Sequence, residues 1–385
     1  MAADAVRRRR TGGPAPHRRR PTHRLDAPGR ATVAALRTHL IEDPLHRHVS
    51  RNAEAPLADG FTHWLGYIED ELAEWRAAGK GHLCIWPHGP LHYLPFHLLH
   101  SGGRPLADDW AITTLPGLGA LSRRATQPVS PRGGLLAVGS AGGGTAHGLS
   151  QVDELETHAA DIAGAAGGAL LVGPEATVQR FAAAAPGVRH LHIAAHGAHN
   201  PTAPWFQCLY LSPAADHDGR LFAHDVMRLD LRGVELVTLS SCESGLGRFD
   251  LNDNLRGLPA AFLLAGASAV IGCLWPVHPQ VATHFFSELY DRIHTGSDRL
   301  AAFRTAQLTT RERFPAYRDG DRSPTQETGD DANGQRIEVA LPATPEHEVE
   351  LLAEPRLGAS PPDARLADRL PSASRDPSAH THRGG

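Results

Sequence analysis

Cysteine is scarce in this chain of 385 residues, and the four cysteines lie far apart in the sequence. Because no Cys-x-x-Cys pair is present, a zinc ribbon is not expected, and four scattered cysteines do not make a disulfide scaffold. We therefore expect free thiols and a reducing cytoplasm as the compartment. The four residues are Cys84, Cys208, Cys242 and Cys273.

Long apolar runs are also missing from the sequence. No stretch approaches the ~20 apolar residues that a helix needs to cross a bilayer, so we expect no association with a membrane. The first residues are rich in arginine but have no apolar core after them, which does not fit a secretory signal. The formal net charge is only -4, which gives no reason to expect nucleic acid as a partner.

Aromatic residues are absent from both ends of the chain, since all of them lie between Phe61 and Tyr317. Aromatic side chains contribute much of a hydrophobic core, so the folded core is expected in this interval. Residues 1–30 are predicted to be a disordered basic tail, with a nucleic-acid-binding arm as the less favoured alternative, and residues 319–385 a disordered polar tail. One segment of the second tail, residues 337–341, alternates like an edge strand. The remaining residues, 31–318, form the predicted domain.

Within this interval, short apolar runs alternate with amphipathic helical segments. Runs such as Leu135–Val138, Leu191–Ala195 and Leu236–Leu239 are apolar at successive positions, as in strands that are buried on both faces. Helical periodicity separates many of them, for example over residues 153–166, and Thr177 is the predicted cap of the next helix. This alternation predicts an α/β fold with a mostly parallel sheet, in which chemistry gathers at the carboxyl ends of the strands.

Two predicted strands end in residues that can do such chemistry. One strand ends in His196, which Gly197 follows at once, and the other ends in small residues followed by Cys242. A cysteine thiol has an ordinary pKa near ~8.5, so it needs a base to become a nucleophile, and a histidine on a neighbouring strand end supplies one. The backbone N–H groups of Gly197 and Cys242 are candidates for an oxyanion hole.

Simpler interpretations of these residues remain open at this point. A single cysteine at a strand end is often just a small buried apolar group. His192 alternates with His196 along the strand and is better interpreted as a structural histidine. Metal binding through the histidines is disfavoured, because a zincin needs its HxxxH motif on a helix with a Glu after the first His, and here Ile193 follows. A serine nucleophile is an alternative, but Ser240, Ser241 and Ser244 do not lie in a GxSxG elbow.

Several segments, in their order along the chain, together resemble one known family. The set resembles the CHAT domains, which are caspase-like peptidase domains often found attached to tetratricopeptide repeats, and the resemblance covers residues 60–318. The matching segments are Pro87–Phe96, Trp110–Pro116, Leu135–Ser140, Glu154, Gly173–Thr177, His192–Gly197, Asp218–Leu221, Leu236–Gly247 and Gly257–Val277. This resemblance implies a caspase-like three-layer sandwich with a mostly parallel central sheet. It also implies a catalytic dyad of His196 and Cys242, with no cofactor and no metal.

The chain departs from the family pattern at two places. His278 stands where the family usually has Asp, and the chain enters the polar tail after Tyr317, where the family has a Trp-containing closing strand. The repeat region found in the family is absent from this sequence, so a repeat-containing regulator is expected to be a separate chain. The predicted function is a regulated and selective cysteine endopeptidase acting on a protein substrate. The alternative is a catalytically weak CHAT scaffold that acts as a protein-interaction module.

Charged residues after the nucleophile give a prediction about specificity. Glu243, Asp250 and Asp253 lie close in sequence to Cys242, as do Arg248 and Arg256. A carboxylate shielded from water in a substrate pocket would favour a basic side chain before the cut. The alternative is that all five charges are solvated loop residues, and that Asp253 caps the helix after it.

Overall fold

The computed structural model describes residues 68–88, 91–92, 94–117, 133–200, 202–249, 255–274, 277–314, 327–330, 336–339 and 349–353. The basic tail predicted over residues 1–30 lies outside these ranges. Eight α-helices occur in the described part, numbered in chain order: α1 Glu69–Ala77, α2 Leu106–Asp109, α3 Glu154–Ala166, α4 Val178–Ala184, α5 Ala223–Val226, α6 Leu258–Leu264, α7 Pro279–His294 and α8 Arg299–Arg313.

The same part of the chain contains seventeen strands. They are β1 His82–Ile85, β2 His100–Ser101, β3 Arg104–Pro105, β4 Ala111–Thr114, β5 Leu135–Gly139, β6 Ala169–Val172, β7 His190–Ala194, β8 His196–Ala198, β9 Cys208–Tyr210, β10 Arg220–Phe222, β11 Leu236–Ser240, β12 Arg248–Phe249, β13 Leu255–Arg256, β14 Ala269–Cys273, β15 Glu327–Asp330, β16 Arg336–Val339 and β17 Val349–Ala353.

Eight of these strands form the central sheet, in the order β1-β4-β17-β14-β11-β7-β5-β6. The five strands from β14 to β6 run parallel to one another. β17 is antiparallel to β14 and parallel to β4, which is itself parallel to β1. The sheet is therefore mostly parallel, as the sequence predicted.

Helices cover both faces of the sheet. On one face, the apolar core includes Phe181 of α4, Val226 of α5 and Phe262 of α6. On the other face, it includes Phe286 of α7 and residues of α3 and α8. The helix–sheet–helix layering confirms the predicted α/β class, a three-layer sandwich with a mostly parallel central sheet. Thr177 caps α4 as predicted, since its side chain accepts a hydrogen bond from the N–H of Arg180.

Two features of the structure differ from what composition alone indicates. The run Leu83–Trp86 is apolar at four successive positions, a pattern typical of buried strands, but β1 lies at the edge of the central sheet, where Cys84 is exposed and Trp86 is 42% exposed. The second difference is that the range predicted to be a disordered polar tail, residues 319–385, contains β15, β16 and β17. β16 falls on the segment that was expected to be an edge strand, and it pairs with β15. The rest of that tail lies outside the described residues.

A smaller sheet carries the histidine segment. It has the order β10-β9-β8, and β8 pairs antiparallel with β9 so that His196 is opposite Tyr210. No helix in the described ranges is long and apolar enough to cross a membrane.

Candidate active site

The two predicted catalytic residues follow neighbouring strands at the same edge of the sheet. β7 and β11 are adjacent and parallel, with Ala194 opposite Ser240 in the register. His196 lies two residues beyond the end of β7, and Cys242 lies two residues beyond the end of β11. The imidazole and the thiol consequently line one cavity of about 110 Å³.

A backbone carbonyl orients the imidazole of His196. Its Nε2 lies 2.8 Å from the carbonyl oxygen of Ser150, and a carbonyl can only accept, so Nε2 carries the hydrogen. In the neutral imidazole, Nδ1 is then the nitrogen with a free lone pair, which can act as a base. Ser150 belongs to the loop between β5 and α3, which is held by a hydrogen bond from the N–H of Val152 to the carbonyl of Ala141.

The thiol of Cys242 is half-buried, and its surroundings favour the protonated form. Burial raises the pKa of this thiol, and the carboxylate of Glu243 raises it further. Backbone hydrogen bonds from Val277 and from Cys242 itself act in the opposite direction but do not outweigh burial. In this geometry the thiol is a poor nucleophile by itself, so a general base is needed to activate it.

Gly197 allows the two catalytic segments to come close together. A Cβ at this position would lie 2.8 Å from the carbonyl oxygen of Cys242 and 3.4 Å from Cβ of Ser241. Any larger residue would push β8 away from the loop after β11. Glycine permits this close approach of the two backbones because it has no Cβ.

Ser244 holds the turn that follows Cys242. Its buried hydroxyl donates towards the carbonyl oxygens of Ser241 at 2.7 Å and Leu239 at 3.1 Å, and accepts from the N–H of Cys273 at 3.1 Å. The turn is thereby tied to the ends of both β11 and β14. Ser244 thus has a structural role in this geometry.

Gln207, which is 1% exposed, connects the same turn to the start of α6. Its Nε2 donates to the carbonyl oxygens of Glu243 at 3.3 Å and Leu246 at 3.0 Å. Its Oε1 accepts from the N–H of Leu258, at the start of α6, at 3.0 Å. The sequence analysis did not identify Gln207, because all its partners are distant in sequence and a lone glutamine before a strand gives no signal.

His158 is a further residue of the cavity that the sequence did not single out. It lies on α3, is 4% exposed, and lines the same cavity as Cys242 and His196. The sequence shows His158 only as one residue of a predicted amphipathic helix, with no signal that sets it apart from its neighbours. His192, expected to be structural, is fully buried with its Nδ1 2.8 Å from Oγ1 of Thr238.

The residues predicted to form an acidic substrate pocket are only partly described. Glu243 is half-buried, has a left-handed backbone with φ of 55°, and is not among the residues that line the cavity. Asp250 and Asp253 lie outside the described residues. Arg248 donates to the carbonyl oxygen of Thr202 at 3.1 Å, and the guanidinium of Arg256 lies 5.4 Å from the ring of Trp205. The preference for a basic substrate residue before the cleaved bond therefore remains a prediction.

No group of three or more His, Cys, Asp or Glu side chains within the described ranges is placed to hold a metal ion. All four cysteines are free thiols. The chemistry that the cavity offers is a thiol and an imidazole on neighbouring strand ends.

Comparisons with known proteins give one family and several distant structures. The family model described as CHAT domain matches residues 30–319. No curated protein matches the chain.

Among solved structures, the Arg specific cysteine proteinase gingipain R is 11% identical, with a TM-score of 0.48, over 84% of this chain and 73% of that chain. The complex of the Porphyromonas gingivalis RgpB pro- and mature domains is 12% identical, with a TM-score of 0.44, over 84% of this chain and 75% of that chain. The Saccharomyces cerevisiae separase–securin complex is 13% identical, with a TM-score of 0.41, over 76% of this chain but only 17% of that chain.

Proposed function

The chain belongs to the CHAT domain family, and from that premise we propose that it is a cysteine endopeptidase with His196 and Cys242 as its catalytic dyad. The observation that supports this most strongly is the shared cavity, which the thiol of Cys242 and the imidazole of His196 both line, with Nε2 of the imidazole held by the carbonyl of Ser150. A buried structural cysteine would need neither an open cavity nor a histidine beside it.

In the proposed mechanism, Nδ1 of His196 takes the proton from Sγ of Cys242, and the thiolate attacks the carbonyl carbon of the substrate peptide bond. A C–S bond forms, and the negative charge moves to the carbonyl oxygen, near the backbone N–H groups of Gly197 and Cys242. When the tetrahedral species collapses, the C–N bond breaks and the imidazolium gives its proton to the leaving amine. Water then hydrolyses the thioester, again with His196 as the base.

Regulation forms part of the proposal. The pKa of the Cys242 thiol is raised in this geometry by burial and by Glu243, so the ionised nucleophile is disfavoured until something changes around it. A separate repeat-containing protein that moves the turn after Cys242 would meet that requirement. We place this reaction in a reducing cytoplasm, where the four free thiols persist.

The test is a cleavage assay on a random peptide library, read by mass spectrometry, with Cys242→Ala and His196→Ala as variants. Both variants should lose turnover and keep their melting temperature, because both side chains line the cavity instead of packing in the apolar core. Cys84→Ala, on the exposed edge strand β1, is the matched control and should keep full turnover. Turnover that persists in Cys242→Ala would refute the mechanism.

A second candidate function is the catalytically weak scaffold that binds a protein partner. The departure from the family pattern after Tyr317, where a Trp-containing closing strand is usual, favours it. Stoichiometric labelling of Cys242 by an electrophilic peptide separates the two candidates. The endopeptidase requires labelling that depends on His196, whereas the scaffold predicts none.

A further inference from the structure

His158 has no hydrogen-bond partner at either ring nitrogen among the described residues, although it is 4% exposed. Its ring packs edge-on against the ring of His192, with centroids 4.7 Å apart, and lies 5.9 Å from the ring of Phe286. Buried polar groups are normally paired, so two unpaired nitrogens on one buried side chain require an explanation.

The cavity beside the dyad offers that explanation. His158 lines it together with Cys242 and His196, so a group that enters the cavity during catalysis meets all three residues. The remaining lining is largely apolar, including Val152, Leu155, Val277, Pro279 and Ala282. A substrate side chain next to the attacked carbonyl is the group that would occupy this space.

The protonation state of His158 limits what that side chain can be. Burial lowers the pKa of His158 to about 4, so the imidazole is neutral at pH 7 and offers one donor and one acceptor. The two nitrogens point away from each other, so a substrate group can pair with only one of them. A carboxamide presents both an acceptor and a donor pair, so it can pair with the nitrogen that faces the cavity whether that nitrogen donates or accepts. A leucine side chain leaves both unpaired, and an aspartate brings an unpaired charge into an apolar cavity that already has Glu154 in its lining.

We propose that His158 is the recognition residue of a substrate side-chain pocket that selects a neutral carboxamide, asparagine, at the residue whose carbonyl Cys242 attacks. This proposal rests on the proposed endopeptidase function. It differs from the basic preference that the acidic residues after Cys242 predict, so the two can be tested against each other.

The test is a set of four tripeptidyl acyloxymethyl ketones that differ only in the residue next to the electrophile: Asn, Leu, Asp or Arg. Asn, Leu and Asp have the same branching, so the comparison isolates hydrogen bonding and charge. The rate of Cys242 labelling, followed by intact mass, should be on the order of tenfold or more higher for Asn than for Leu, as expected for a buried hydrogen bond gained or lost. In His158→Leu the preference should fall to about unity, whereas His158→Gln, which keeps a donor and an acceptor, should retain part of it.

Iodoacetamide labelling of Cys242 and a thermal melt are run on every variant. Equal labelling by all four probes, or fastest labelling by the Arg probe, would overturn the carboxamide pocket and leave the endopeptidase standing. If iodoacetamide reaches Cys242 but no peptidyl probe does, the endopeptidase proposal fails, and the pocket fails with it. Because the wild-type panel is decisive by itself, a His158→Leu variant that does not fold leaves the test intact.

Discussion

At the scale of single residues, Glu243 links backbone geometry to thiol chemistry. It is the only residue other than glycine with a positive φ in the part of the chain that the structure describes, and it directly follows the candidate nucleophile. Such a backbone costs energy for a side chain with a Cβ, and persists only where surrounding contacts hold it. Gln207 supplies one of these contacts, at the carbonyl of Glu243.

The first prediction concerns the charge of Glu243. Its carboxylate raises the pKa of the Cys242 thiol, so Glu243→Gln should lower that pKa. The pH midpoint of Cys242 alkylation by iodoacetamide should move down, by up to about one pH unit. Glu154→Gln is the control, since Glu154 lines the cavity but does not contribute to this shift, and its midpoint should stay where it is in the wild type. An unchanged midpoint in Glu243→Gln would show that burial alone raises the pKa.

The second prediction concerns Gln207. Gln207→Leu removes hydrogen bonds to two carbonyls and leaves the N–H of Leu258 unpaired in a buried place. We expect the free energy of unfolding to fall by about 2–4 kcal/mol in urea titration, since each unpaired buried group costs about 1–3 kcal/mol. Labelling of Cys242 by a peptidyl electrophile should fall as well, even well below the melting temperature.

The same substitution at Gln179 is the matched control for Gln207→Leu. Gln179 is at the surface and hydrogen-bonds Asp216 at 3.3 Å, so its loss should change stability by less than about 0.5 kcal/mol. Equal effects of the two substitutions would remove the case for Gln207 as a positioning residue.

The sequence analysis singled out candidate residues that carry local signals and passed over those that act through distant contacts. His196 and Cys242 each end an apolar run, and a run that stops at a reactive residue is visible without any structure. Ser150 acts through its backbone carbonyl, a group that every residue has. Its hydrogen-bond partner, His196, is 46 positions away in the sequence. The partners of Gln207 are 36 to 51 positions away. Only the fold brings such groups together, so neither could be predicted.

At the scale of elements, composition indicates which segments form strands but not how deeply each strand is buried. The run Leu83–Trp86 is as apolar as a central strand, yet β1 has a partner on one side only. Hydrophobicity shows that a segment forms a strand, but not its place in the order of strands. The opposite error occurred at β17, a short run of residues among charged and proline-rich neighbours that composition assigned to the polar tail.

The third prediction is that β17 stabilises the sheet by joining its two halves. It lies between β4 and β14 and pairs with both, so its backbone groups serve strands on each side. Leu351→Pro removes one N–H from this ladder and should lower the free energy of unfolding by about 3 kcal/mol or more. Leu351→Val, which keeps the N–H, is the control and should stay close to the wild type. A melting temperature that Leu351→Pro leaves unchanged would mean that β17 adds nothing to the folded state.

At the scale of the whole molecule, buried histidines connect stability to pH. The chain has 25 histidines, and burial lowers the pKa of His158 and of His190 to about 4, and that of His192 well below its ordinary value. The folded protein keeps these imidazoles neutral, whereas the unfolded chain binds protons at them near pH 6.5. Protons are therefore taken up on unfolding, and stability must fall as the pH drops below 6.5.

The fourth prediction isolates one of these groups. His158→Phe removes a titrating ring whose nitrogens have no partner among the described residues. The substitution therefore breaks no hydrogen bond between described residues. The pKa of His158 is about 4 in the folded protein and 6.5 in the unfolded chain. Its titration should therefore lower the free energy of unfolding by roughly 2 kcal/mol when the pH falls from 7.5 to 5. The loss measured by urea unfolding at these two pH values should be smaller by this amount in His158→Phe than in the wild type. Ile162→Val, in the same helix and without a titrating group, should lower stability equally at both. An identical pH dependence in His158→Phe and the wild type would show that this imidazole is already solvated in the folded protein.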